Sequence, residues 1–466
     1  MTRLNALGRH VVLIGFMGAG KTTHGKDAAT RLGRAFLEQL RDRLPRAGLD
    51  RRVEVEERGE AGFREIERHA ARVALGSTEP AVIALGGGAL GSPETRELVT
   101  SAFTVLMEID VETAWDRARR SKRPLAQDED GFRRLYTERE SVYRDAADAV
   151  ASDTTGIVLA AGGVHYERGG LDRLGELVPG EGPVALVADS TVMGIYGARA
   201  QEALGGRLAS EHELPVGEEA KSIGVVTRLW RELRLDRGGT VVALGGGCTT
   251  DVAGLTAATY LRGVPWVPVP TTLVGQVDAA IGGKTGIDIP EGKNLVGSFH
   301  WPARVVLDET LLETLPERER RQGMAELVKT RLLADRRLDV RGAAAYKAGI
   351  CVQDPHDHGP RRWLNLGHTF AHGLEAGADY DLPHGEAVAL GLLAALRLSG
   401  RDTEEVEREL DPRPARVDPE RAWQALLRDK KRSGDEINLV LLGADGPYVE
   451  PRPADDVRRE LERLIA

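Results

Sequence analysis

An α/β fold followed by a mainly helical end is what the sequence predicts, on three observations. The apolar run VVLI at 11–14 passes straight into GFMGAGKT at 15–22, a strand feeding a loop that fits G-x-x-x-x-G-K-[ST]. A second apolar run, 241–244, reads as a buried parallel strand; it ends in Gly245, Gly246 and Gly247 and leads into a helical pattern over about 250–261. After Pro316 the texture turns helix-rich, with few β-branched runs.

Each glycine turn carries a chemistry. In the first, backbone N–H groups of the loop through Gly18 and Gly20 cradle phosphates, Lys21 reaches the terminal ones, and Thr22 offers its hydroxyl to Mg2+. A helix is predicted over 23–32, so Thr23 sits in its first turn. In the second, strand, glycine turn and helix start together make a pyrophosphate seat, because glycine lets the backbone approach and the free N–H groups face the anion. Three glycines alone also make a plain tight turn. Arg262, Asp278, Lys284, Lys293 and Asn294 add weight, interleaved with PTT, GGKTG and GKN in segments rich in Gly and Pro. Singly each is a solvated loop residue; together they predict loops converging on an anionic, hydroxylated ligand.

Bulk properties bound the reading. A chain of 466 residues has room for two or three domains, and 41% hydrophobic with 29% charged residues is ordinary for a globular protein. A net charge of −9 argues against nucleic acid or an anionic membrane surface as partner. No apolar run approaches the roughly 20 residues that span a bilayer. The two cysteines, Cys248 and Cys351, exclude a disulfide framework and suggest no structural zinc, so a reducing cytoplasm is the expected location.

The stretch 241–300 closely resembles the 3-dehydroquinate synthase family, which binds NAD and cyclises a seven-carbon sugar phosphate. The resemblance implies cofactor contacts from Glu218 and Lys221 in GEEAK, from Gly246, Gly247 and Asp251, from the pair Thr271 and Thr272, and from Lys284, Lys293 and Thr314. By residue spacing alone, Glu326 and Lys329 are three apart and His368 and His372 four apart, so each pair shares a helix face. The His pair lacks the Glu of HExxH, which removes a metalloprotease reading. The resemblance implies instead that Glu326, His368 and His384 hold Zn2+ or Co2+, a set that leaves a position open for substrate oxygens. It implies catalytic roles for Arg262, Asp278, Lys284, Lys329 and Asn365, with His372 behind the ligands or relaying a proton. Asn294, Lys347, Arg361 and Lys430 are implied to bind substrate. His356 and His358 read as solvated loop. Two departures stand out: 333–347 is shorter than in the family, and Arg331 replaces a small residue.

Nearer the start, Gly86, Gly87 and Gly88 close a strand at 81–85, GEAGFRE occupies 59–65, and RPL at 123–125 precedes Arg139 and Tyr143. With the phosphate loop these resemble shikimate kinase over about 9–150. The resemblance implies ATP and Mg2+, Arg64 and Arg139 on the shikimate carboxylate, Gly87 against its ring, and Arg123 in a lid over ATP. One departure is chemical. The family carries Asp-x-Asp after its second strand, where this chain has Glu38 and Leu40. Glu38 can serve the metal, but Leu40 accepts no hydrogen bond, so weak or absent shikimate phosphorylation with ATP binding retained is expected.

The expected organisation is a P-loop kinase-like domain at 1–155, a junction at 156–182, a Rossmann-like NAD domain at 183–315, and a helical metal-binding domain at 316–466. The expected function is a lyase that uses NAD catalytically, fused to a kinase-like domain, in aromatic amino-acid biosynthesis. The alternatives are a related sugar-phosphate carbocyclase or an NAD- and metal-dependent polyol dehydrogenase, either with a non-catalytic nucleotide-binding first domain. Partners would be the sugar phosphate and shikimate, with a homodimer left open.

Overall fold

A computed structural model describes residues 4–38, 51–120, 128–429 and 436–466, with side chains except at 51–61 and 429. Leu40, Asp42, Arg123, Lys430 and Lys431 lie outside the described residues. The chain forms two compact units, Met1–His165 with Ala348–Gln353, and Tyr166–Lys347 with Asp354–Ala466.

The first unit is built on a five-stranded parallel sheet in the order Ala35–Glu38, Ala81–Ala84, Val11–Ile14, Phe103–Met107, Ala149–Ala151. Val11–Ile14 is the middle strand and is buried on both faces, which is why it reads as an unbroken apolar run. The glycine loop follows at its carboxyl end, and the helix Lys21–Arg31 begins with no side-chain cap on its first turn.

The second unit centres on a four-stranded parallel sheet in the order Trp266–Pro270, Thr240–Gly245, Val184–Asp189, Leu208–Leu214. Strand order reverses between Val184–Asp189 and Thr240–Gly245, so the carboxyl ends of these two strands form the crevice where open α/β sheets take their ligands. The segment read as a junction holds ordered elements: helix Thr154–Ala161 in the first unit, strand Val164–Tyr166, and helix Leu174–Leu177 in the second.

Three details differ from expectation. The segments carrying Lys284, Lys293 and Asn294 are not loops but an antiparallel hairpin, Lys284–Ile289 with Gly292–Phe299. Pro290 and Glu291 supply only its turn, while Ile287, Ile289, Leu295 and Val296 supply β-formers on either side. The helix predicted from 250 begins at Gly247 and ends at Thr259, after which Leu261 and Arg262 take left-handed backbone angles. The helical end also contains a hairpin, Glu436–Gly443 with Gly446–Pro453. Its first strand buries Ile437 and the continuous run Leu439, Val440, Leu441 and Leu442, and a short unbroken apolar run fits a buried helix as well as a strand.

Arg331, the bulky departure, has a local task. Its guanidinium donates to the Leu338 carbonyl at 2.9 Å and to Glu409 at 2.6 Å, tying down the short connection between Glu317–Ala334 and Val340–Gln353.

Candidate functional site

In the first unit the loop and its neighbours converge. Lys21 folds over the loop and donates to the carbonyls of Gly15 and Phe16 at 2.6 and 3.0 Å, beside the uncapped start of its helix. Thr22 Oγ1 donates to Glu38 at 3.1 Å, so the hydroxyl and the carboxylate suited to a hydrated magnesium are adjacent. Arg139 and Tyr143 both donate to the Gly87 carbonyl, at 2.8 and 2.5 Å. Arg64 pairs with buried Glu67 at 2.6 Å and lies so close to Gly88 that a Cβ there would collide with the guanidinium. Gly88 thus leaves room for the Arg64 guanidinium to approach the backbone. Gly18, Gly20 and Thr23 belong to the same loop and helix start.

In the second unit the helix Gly247–Thr259 starts with Gly246 as its uncapped N-cap, leaving first-turn N–H groups for an anion. Thr271 N donates to the Gly245 carbonyl at 3.0 Å, and the Thr272 side chain lies against Gly246. Lys221 is buried and donates to Asp251 at 2.8 Å and to Asn294, while Lys293 reaches Glu218 at 3.3 Å. Burial opposes the Lys221 charge, but Asp251 outweighs it and holds the ammonium above the usual lysine range. Burial pushes the Cys248 thiol up to about 12, so it stays protonated. Both cysteines are free.

The third cluster is positioned by helix packing. Leu273 and Val277 pack with Leu327 and Ala343, seating the π-helical turn Gly275–Ala279 against the helix Glu317–Ala334. That contact brings Asp278 to 3.9 Å from Lys329 and 2.5 Å from Lys347. On the same helix Gln322 accepts from the Gly385 N–H at 2.6 Å, and only glycine fits so close to the Gln322 backbone. His384 is thereby held across from Glu326, one turn beyond Gln322.

Glu326, His368 and His384 place their ligand atoms within 4.8 Å of one another. Glu326 Oε1 is 3.1 Å from His384 Nε2 and 3.4 Å from His368 Nε2, and its other oxygen pairs with Lys329. Glu326 and Lys329 are each about 1% exposed. Burial works against the Glu326 charge, yet Lys329 and His368 hold its pKa well below the usual carboxylate range. Burial likewise disfavours a charged His384, but hydrogen bonds with Glu326 and Glu375 raise it to about 10. One anionic oxygen and two imidazole nitrogens converging in this way are the donor set of a divalent ion such as Zn2+ or Co2+.

Other candidates lie apart or spend their donors differently. The His372 ring is 5.7 Å from that of His368. Arg361 is buried, donates to the carbonyls of Pro355 and Gly282 at 2.9 and 2.8 Å, and stacks over Phe299. Asn365 is half-buried in the turn before His368. Arg262 is exposed, and Thr314 contacts Tyr196 at 2.7 Å, so neither joins the Lys221 or Glu326 clusters. Two carboxylates were missed by sequence reasoning. Asp357, between the two exposed histidines, pairs with Lys284 at 2.5 Å and keeps its other oxygen buried. Glu375 contacts His384; its spacing of seven from His368 put it on the ligand face and was the available signal.

Comparison with known proteins places this geometry. Residues 17–162 match the shikimate kinase family model, 211–322 that of 3-dehydroquinate synthase N-terminal, and 338–432 that of 3-dehydroquinate synthase C-terminal. The 3-dehydroquinate synthase of Bordetella pertussis is 38% identical over 341 residues, covering 64% of this chain and 95% of that protein. That of Symbiobacterium thermophilum is 37% identical over 350 residues, covering 65% and 97%. Among solved structures, 2-deoxy-scyllo-inosose synthase complexed with carbaglucose-6-phosphate, NAD+ and Co2+ aligns with TM-score 0.59 at 25% identity, over 64% of this chain and 96% of that one. The 2-epi-5-epi-valiolone synthase of Streptomyces hygroscopicus with NAD+ and Zn2+ bound aligns with TM-score 0.54 at 26% identity, over 65% and 96%. Among the described residues no helix is long and apolar enough to cross a membrane. With two family models and close relatives along its second part, and a kinase model along its first, the chain belongs to the 3-dehydroquinate synthase family and carries a shikimate kinase domain ahead of it.

Proposed function

We propose that the second part of the chain cyclises 3-deoxy-D-arabino-heptulosonate 7-phosphate to 3-dehydroquinate with loss of phosphate, and that the first binds ATP and Mg2+ to phosphorylate shikimate. The observation that carries the first reading is one contiguous group: the Glu326, His368 and His384 ligand set, joined through Lys329 to Asp278 and Lys347. When bound, NAD supplies reversible hydride acceptance and Zn2+ or Co2+ a Lewis acid for a substrate hydroxyl. Glu218, Lys221, Asp251, Lys293 and the turn at Gly246 and Gly247 would hold the dinucleotide, with Thr271 and Thr272 at its nicotinamide end.

The chain's own residues do the rest. Lys329 and Lys347 converge on Asp278 and present ammonium groups to the substrate's anionic end. Burial opposes the Lys329 charge, but Glu326 and Asp278 outweigh it, so the side chain remains a cation. Lys284, paired with Asp357, would take the phosphate. Asn365 and His372 would orient and relay a proton to the substrate hydroxyls. A polyol dehydrogenase has no use for so many lysines. A hexose-phosphate carbocyclase does, but relatives at 37–38% identity are 3-dehydroquinate synthases.

Turnover assayed with the heptulosonate phosphate, a hexose phosphate and glycerol tests this. Preference for the heptulosonate phosphate is expected, and preference for either other compound overturns the assignment. A second expected result concerns independence. Lys21→Ala, which removes the cation of the phosphate loop, leaves synthase turnover at the wild-type rate; a matching collapse would show that the two activities are coupled.

A further inference from the structure

Of the three candidate ligands, His384 is the one whose two ring nitrogens both face carboxylates. Nε2 lies 3.1 Å from Glu326 Oε1, and Nδ1 lies 3.1 Å from Glu375 Oε1. Nothing in the reaction as set out above uses Glu375. It is about 5% exposed, and a carboxylate so buried is costly unless it is paired. Its place is built by local structure. Glu375 stands seven residues, two helical turns, after His368 on the helix His368–Gly377, so both face the same side. Its backbone carbonyl accepts from Tyr380 N at 2.8 Å and Ala378 N at 3.2 Å, closing the turn that leads the chain back to His384.

The other imidazole is tethered differently. His368 Nδ1 lies 3.2 Å from the Leu366 carbonyl, a neutral acceptor. Both rings thus have Nδ1 occupied and Nε2 turned toward Glu326, but only the His384 tether carries a charge. An imidazole that donates Nδ1–H to a carboxylate is locked in one tautomer and one orientation, and its free nitrogen becomes a stronger donor.

We propose that Glu375 is the positioning residue for the metal, holding His384 with its Nδ1–H directed at the carboxylate and its Nε2 open to the ion. The inference rests on the metal reading given above. Outer partners of this kind typically change metal affinity about tenfold to hundredfold.

The test uses the full chain, stripped with chelator and reloaded with Zn2+ or Co2+. Competition against a chromophoric chelator is expected to show metal binding weakened about tenfold to hundredfold in Glu375→Ala. Glu375→Gln keeps an oxygen acceptor for Nδ1–H and loses only the charge, so its loss is expected to be smaller. The visible bands of the Co2+-loaded protein shift in Glu375→Ala, and NAD titration stays at the wild-type value, which separates a loosened ligand from a lost fold. Wild-type metal affinity and an unchanged cobalt spectrum in Glu375→Ala overturn the proposal. Should that variant not fold, Glu375→Gln decides: weakened metal binding supports the role and wild-type affinity overturns it. A wild-type chain that takes up no metal overturns the metal reading itself, a different failure from the two variants binding as tightly as wild type.

Discussion

Glu326→Ala abolishes cyclisation while NAD binding stays close to wild type. The carboxylate is one of three ligand groups within 4.8 Å, and it is also the partner of Lys329, which is itself about 1% exposed. Removing it therefore does two things. The donor set falls from three groups to two imidazoles, too few for a divalent ion at physiological concentration. Lys329 is left with Asp278 alone at 3.9 Å, and breaking a buried pair from one side costs about 3–5 kcal/mol. The dinucleotide cluster around Lys221 and Asp251 shares no residue with this group. Metal content, single-turnover cyclisation and NAD titration on one preparation check the result. Glu326→Gln, which keeps the volume, separates lost chemistry from lost stability. Full turnover by the metal-stripped Glu326→Ala chain would defeat the assignment.

Shikimate phosphorylation by the native chain is weak, and Leu40→Asp raises it about tenfold to hundredfold. In the kinase family the first acid of Asp-x-Asp holds magnesium through water, and the second accepts hydrogen bonds from substrate hydroxyls. Here Glu38 ends the strand Ala35–Glu38 and already accepts from Thr22, so the metal side has a carboxylate in reach. The second position is Leu40, which has no acceptor. Losing a charged acceptor costs about 1.5–3 kcal/mol, which converts to roughly that change in rate or affinity. ATP binding is retained, because the loop and Lys21 are intact. A coupled assay on native and Leu40→Asp chains, beside ATP titration, measures both. Asp42 is the one nearby acid able to stand in, so Asp42→Ala is the control. A native chain that turns over normally, with no gain from Leu40→Asp, refutes the argument.

The two glycine turns were legible because strand, loop and helix there follow one another within some twenty residues, so local pattern decides them. The hairpin Lys284–Phe299 was misread as loop because Gly286, Gly292 and Gly297 within its strands and Pro290 at its turn give it a loop-like composition, while pairing depends on the partner strand. The second hairpin, Glu436–Gly443 with Gly446–Pro453, was missed for a related reason: a short apolar run fits strand or helix until its neighbour is known. Asp357 had no signal at all. It sits in an exposed His-rich loop, and only the approach of Lys284, 73 positions away in sequence, gives it a role.

By itself the sequence determined the chemistry available: a phosphate loop at 15–22, a dinucleotide turn at 245–247, a supply of lysines, and helix faces carrying Glu326 beside Lys329 and His368 beside His372. Those features depend on backbone periodicity and on glycine, which act over a few residues. Only the tertiary structure decided which faces meet. Gly385 against Gln322 brings His384 to Glu326, Val277 against Leu327 brings Asp278 to Lys329, and the turn after Gly377 carries His384 back onto Glu375. Contacts of that kind are set by close packing of side chains distant in sequence, where a single Cβ or one helical turn changes the partner.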